Sequence, residues 1–110
     1  MLWKEIENNP TPTYAKRKYY RKHVRKAFIK HLYACGELNC KEAKKGMLPE
    51  GLTIHHIIPL SLDGDSKWDN LVVLDEKLHE ALNKQVFEPQ MHQETILIPL
   101  EFSELRNRLR

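Results

Sequence analysis

Residues 52–87 read LTIHHIIPLSLDGDSKWDNLVVLDEKLHEALNKQVF. Two apolar, β-favouring runs, 52–58 and 71–74, flank a turn-rich loop over 59–69. Gly64 stands there among Asp63, Asp65 and Ser66, residue types that make turns. Asp75 follows the second run as an N-cap, and Glu76 takes the first turn, where a carboxylate meets the positive end of the helix dipole. The pattern predicts a helix from there to about Phe87, stopped by Pro89. The order is strand, loop, strand, helix. His55, His56, Asn70, His79 and Asn83 occupy its polar positions.

That order, with those residues, resembles the HNH endonuclease family, whose core is the ββα-metal or His-Me finger motif. The pair His55-His56 followed by Ile57 and Pro59 is similar to the family's first element. Asp69-Asn70-Leu71 is similar to its middle Asn, and His79 to its last His. The resemblance covers about a third of the chain and is nearest to small toxin and phage HNH domains. It implies an α+β fold: a ββα-metal core, an N-terminal basic helix and additional short helices.

Hydrolysing a phosphodiester needs a base to deprotonate water, a cation to offset developing charge, and positioning of both. Imidazole titrates near neutrality, so a His can serve as base without extreme tuning. The resemblance gives that role to His56. To Asn70 it gives a structural one, bonding loop backbone so that the base is held. It makes His55 and His79 ligands of one divalent ion, Mg, Mn, Zn or Ni; imidazole suits Zn and Ni better than Mg. The bland alternatives are a half-buried strand His56 and a solvent-facing His79.

Asn83 lies four residues after His79, on the same helix face. Relatives such as the nuclease colicins carry a His there. The Asn is therefore either an amide-oxygen ligand or a polar surface residue with water in its place. Neighbouring residues in a regular strand point to opposite faces. If His55 and His56 serve one site, a departure from strand geometry is predicted there, beside Pro59.

Among 110 residues, 41% are hydrophobic and 30% charged, which fits one globular domain over 1–110 and excludes a disordered chain. The expected segments are a basic helical region over 1–36, the motif over 52–87 and a strand and helix tail over 88–110. No run is apolar enough to span a bilayer, no apolar signal core opens the chain, and two Cys make no disulfide framework. The expected compartment is the reducing cytoplasm.

The net charge of +3 is unevenly placed. Residues 8–36 contain no acid but hold Lys16, Arg17, Lys18, Arg21, Lys22, Arg25, Lys26 and Lys30. A one-signed face favours phosphate-backbone contact over a merely solvated helix, so all of these but Lys30 are candidate nucleic-acid contacts. Tyr14 and Tyr19 are candidates for base stacking or for packing.

Leu2, Trp3 and Ile6 predict a short helix over 1–9. Thr13 reads as the N-cap of a long helix ending near Cys35, with Gly36 beyond it and Tyr20, Val24, Ala27, Phe28 and Leu32 inward. A helical turn is expected over 39–45, a strand over 95–98 and a helix over 101–110 with Leu105 and Leu109 inward. Cys35 and Cys40 read as buried thiols rather than, with His31, part of a zinc site.

The function implied is a metal-dependent endonuclease cutting DNA, double-stranded and with little sequence preference, leaving 5′-phosphate and 3′-hydroxyl ends. The alternatives are a nucleic-acid-binding module that no longer cuts, and the nuclease domain of a larger toxin or phage protein neutralised by an acidic immunity partner.

Overall fold

The computed structural model describes residues 2–108. In chain order it has β1 (Trp3–Glu7), α1 (Tyr14–Tyr19), α2 (Arg25–Ala34), α3 (Lys41–Lys44), β2 (Leu52–His56), β3 (Leu71–Asp75), α4 (Glu76–Leu82), β4 (Thr95–Pro99) and α5 (Ser103–Arg108). A π-turn, Tyr20–Val24, joins α1 to α2 as one continuous N-terminal helix, and another, Asn83–Phe87, extends α4. The fold is α+β, with two antiparallel two-stranded sheets, β1–β4 and β2–β3.

The β2–β3 hairpin sits between two helical layers. Side chains alternate across a strand. Ile54, Leu71 and Val73 face the N-terminal helix and pack with Tyr20, Val24, Phe28 and Leu32. Val72 and Leu74 face α4 and pack with Leu78, Leu82, Phe87, Phe102 and Leu105. Burial on both faces explains why 71–74 reads as an unbroken apolar run instead of alternating. The tail joins the same core through Leu105, which is almost wholly buried.

Local chemistry sets the helix ends. Asp75 Oδ1 accepts from the Lys77 N–H at 2.8 Å, the expected cap. Gly36, at φ +84°, ends α2, and the Glu37 N–H reaches back to the Leu32 carbonyl. Thr13 precedes the N-terminal helix but does not cap it; its hydroxyl instead accepts from Arg17 Nε at 3.1 Å.

Several expectations change. Residues 3–7 form a strand, not a helix, because β4 supplies a ladder with Trp3 opposite Pro99 and Ile6 opposite Ile96. Long-range pairing outweighs the weak spacing signal of three apolar residues. Ala27 is exposed, while Ile29 is fully buried, so the buried stripe of α2 is Phe28, Ile29 and Leu32. Cys35 is exposed and Cys40 half-buried, so neither is a buried thiol; both lie at helix ends, where packing is thin. The first strand stops at His56, and the last helix begins at Ser103. Pro89 falls inside a short 3₁₀ turn, Glu88–Gln90, that finishes the α4 segment. Leu109 and Arg110 lie outside the described residues, as does Met1.

Candidate active site

Among the described residues the sheet formed by β2 and β3 has two strands, so the outer edge of β2 has no strand partner among them. An open cleft of about 540 Å³ runs along that edge. Residues 52–56 form its floor, Glu76 and His79 of α4 one wall, and Arg17, Tyr20, Arg21 and Arg25 of the N-terminal helix the other.

His55 belongs to the α4 face. Its ring meets His79 edge-on with centroids 5.1 Å apart, and Phe87 and Phe102 close round it. His56 belongs to the opposite face. Its ring meets Tyr20 edge-on at 4.7 Å, and its Nε2 lies 3.2 Å from Ser66 Oγ. The two imidazoles thus point to opposite sides, as a strand requires, and both border the cleft because it straddles the strand's edge. The predicted departure from strand geometry is absent: the ladder stays in register through His56 opposite Leu71.

Asn70, buried at 8% exposure, begins β3's approach and ties the loop together. Its Oδ1 accepts from the Ile58 N–H at 2.8 Å, and its Nδ2 donates to the carbonyls of Ile58 and Asp65 at 3.0 and 2.8 Å. One side chain therefore spans both limbs of the loop that follows His56. Gly64 allows the close approach inside it, since a Cβ there would collide with the Ile58 carbonyl.

Burial pushes the His55 pKa down to about 3, with His79 and His56 adding to the effect. The ring is neutral at pH 7 and keeps a lone pair. Its Nε2 is buried without a hydrogen-bond partner, an arrangement that ordinarily costs about 1–3 kcal/mol. His56 is lowered by burial and by Arg17, with Asp65 opposing; His79 is lowered by burial.

An orphaned, neutral imidazole nitrogen beside a second imidazole fits a divalent ion held by His55 and His79 with positions left open. Among the described residues no three His, Cys, Asp or Glu converge, so these two are not joined by a third residue of those types. Asn83 does not line this cleft. It is exposed and lines a neighbouring depression of about 340 Å³ that shares His55 and Pro59 with the cleft.

Of the basic residues, Arg17, Arg21 and Arg25 face the cleft. In a regular helix residues four apart drift by roughly 40°. The π-turn, in which the Arg25 N–H reaches the Tyr20 carbonyl, is wider and reduces that drift. Lys16 instead holds the Leu60 carbonyl and the Asp63 carboxylate, each at 3.3 Å. Lys18, Lys22 and Lys26 do not line the cleft, and Lys26 packs its methylenes over Gly46.

Four residues near these groups carried no such expectation. Tyr20 reads as core, although its position three after Arg17 puts it on the cleft face. Ser66 reads as a turn residue and Glu76 as a capping acid. Trp68, at 44% exposure, stacks on His31 at 4.4 Å; no local pattern foretells that contact across the fold.

Residues 35–84 match the family model for HNH endonuclease. The resemblance read from 52–87 is shown by that match. The HNH span includes both strands of the hairpin, the loop between them, all of α4 and Asn83. The match makes that span similar to a nuclease family. No curated protein and no solved structure gives a significant match.

Proposed function

We propose that this chain is a metal-dependent endonuclease that hydrolyses DNA phosphodiester bonds. One observation carries the reading: His55, His56 and His79 border a single open cleft walled by Arg17, Arg21 and Arg25. His56 is the general base that takes a proton from water, a role that contributes about 10²–10⁴-fold. His55 and His79 hold the divalent ion, with Asn83 or water beside them. When bound, that ion supplies Lewis-acid stabilisation of charge on the phosphate and the leaving oxygen.

Asn70 keeps the loop behind the base in one shape through its three backbone hydrogen bonds. The three guanidiniums receive backbone phosphates, for which their planar, bidentate donors are suited. Among the described residues none of the three is in an ion pair with an acid, so their charge is available.

The test is cleavage of supercoiled plasmid with Mg²⁺ or Mn²⁺, with and without chelator, beside His56→Ala. Metal-dependent nicking or linearisation that His56→Ala reduces at least a hundredfold is expected. Cleavage by His56→Ala within threefold of the parent would sink the base assignment.

A second reading is favoured by one observation, the lack of a three-residue His, Cys, Asp or Glu group among the described residues. On that reading the chain grips nucleic acid without cutting it. Intact plasmid at saturating metal, together with retained DNA binding, would select it.

A further inference from the structure

Ser66 lies in the loop that Asn70 holds. Its Oγ stands 3.2 Å from His56 Nε2. Both of its neighbours are fixed: the Asp65 carbonyl accepts from Asn70 Nδ2 at 2.8 Å, and the Asp65 carboxylate accepts from the Lys67 N–H at 3.0 Å. The backbone that carries Ser66 to the ring is therefore braced on both sides. Among the described residues no second protein hydrogen bond reaches the His56 ring, and its Nδ1 is not a buried orphan. Ser66 also lines a separate depression of about 440 Å³ with Lys16, Tyr19, Asp63 and Asp65.

We infer that Ser66 is a positioning residue for the base: its Oγ accepts from His56 Nε2–H and leaves Nδ1 to take the proton from water. This deepens, and rests on, the reading of His56 as base. A neutral imidazole carries one N–H, so placing it on Nε2 makes Nδ1 the basic nitrogen. When water gives its proton to Nδ1, the hydroxide is left for phosphorus and the Nε2–H stays on Ser66. The hydrogen bond is thus made in both charge states of the ring, and no proton crosses the hydroxyl. This is the logic of a base oriented by a third group, with a neutral hydroxyl where other enzymes use a carboxylate. The reverse arrangement, Ser66 donating to Nε2, would put the ring proton on Nδ1 and disable it.

The experiment joins two readouts on the full chain. Long-range ¹H–¹⁵N correlation of the His56 ring, without metal, reports which nitrogen is protonated in the neutral form. Plasmid cleavage by Ser66→Ala, Ser66→Thr and His56→Ala gives kcat and KM. We expect the Nε2–H tautomer in the parent chain and a mixture of tautomers in Ser66→Ala. We expect kcat to fall about tenfold in Ser66→Ala at unchanged KM, or about 1.4 kcal/mol in barrier, with most of it restored in Ser66→Thr. An Nδ1–H tautomer in the parent chain overturns the inference even if Ser66→Ala does not fold. So does an unchanged kcat in Ser66→Ala where His56→Ala is dead. If His56→Ala itself cleaves like the parent, the assignment of the base fails instead.

Discussion

Asn70→Ala is the sharpest test of how this fold supports its cleft. The side chain is 8% exposed and spends all three of its observed hydrogen bonds on loop backbone, at 2.8, 3.0 and 2.8 Å. A typical hydrogen bond contributes about 1 kcal/mol net, so the three together contribute about 3 kcal/mol. For a chain of this size that is a fall in Tm on the order of 10 °C. Alanine fills none of the vacated space and leaves the Ile58 N–H without its acceptor. Urea unfolding followed by circular dichroism measures the loss, read from the midpoint at constant slope.

Asn70→Asp separates geometry from volume. A carboxylate still accepts from the Ile58 N–H, but it has no proton to give the carbonyls of Ile58 and Asp65 and faces both with negative charge. It should be no more stable than the alanine variant. A loss below about 0.5 kcal/mol in Asn70→Ala, or full rescue by Asn70→Asp, would refute the account of the loop as a structure pinned from one side chain.

Other outcomes follow from the same geometry. His55→Leu should remove metal binding, measured by titration calorimetry with Zn²⁺ or Mn²⁺, yet raise the stability of the metal-free chain by about 1 kcal/mol, because it deletes a buried unpaired nitrogen. His55 titrates near 6.5 when unfolded and at about 3 when folded, so the unfolded chain takes up the proton first. Its effect is absent above the unfolded value and destabilises progressively as pH falls from 6.5 towards 3; His55→Leu should flatten the decline in Tm over that window. His79→Ala should weaken metal affinity at least tenfold and Asn83→Ala less, since Asn83 lines the adjoining depression; equal effects in calorimetry would count against the geometry. Neutralising Arg17, Arg21 and Arg25 together should reduce the log-affinity against log-salt slope for a short duplex by about 2.7, from about 0.9 per phosphate. Changing Lys18, Lys22 and Lys26 should do less in the same anisotropy assay.

The motif was legible because each of its signals is short-range. The N-cap at Asp75, the turn at Gly64 and the apolar run of β3 depend on neighbours a few residues away, and the structure keeps all three. β1 was not legible because its partner β4 lies at the far end of the described chain, with Trp3 opposite Pro99 and Glu7 opposite Thr95. The orientation of the basic helix was only half legible. An acid-free stretch announces a charged surface, but which cations meet the cleft depends on the π-turn at Tyr20–Val24, and helical periodicity of 3.6 does not contain it. Ser66 and Tyr20 were missed for a related reason. Each reaches His56 through the tertiary fold, one by way of a braced loop and the other from a separate helix.

The position of the histidine pair follows from the same topology. In a central strand, consecutive side chains enter compartments that the sheet keeps apart. At an edge strand the two compartments open on one volume of solvent, and residues of opposite orientation can act on the same molecule. β2 is such an edge. An open edge is ordinarily a hazard, because its free N–H and C=O groups invite another strand, and charged residues are a usual defence. Here the edge is walled by Arg17, Arg21 and Arg25 on one side and by Glu76 and His79 on the other. The cations that repel each other's copies across such an edge are the ones suited to a phosphate backbone. A two-stranded sheet thus places His55 and His56 on one cleft without any break in the ladder, and leaves the strand edge guarded by the groups that the proposed chemistry requires.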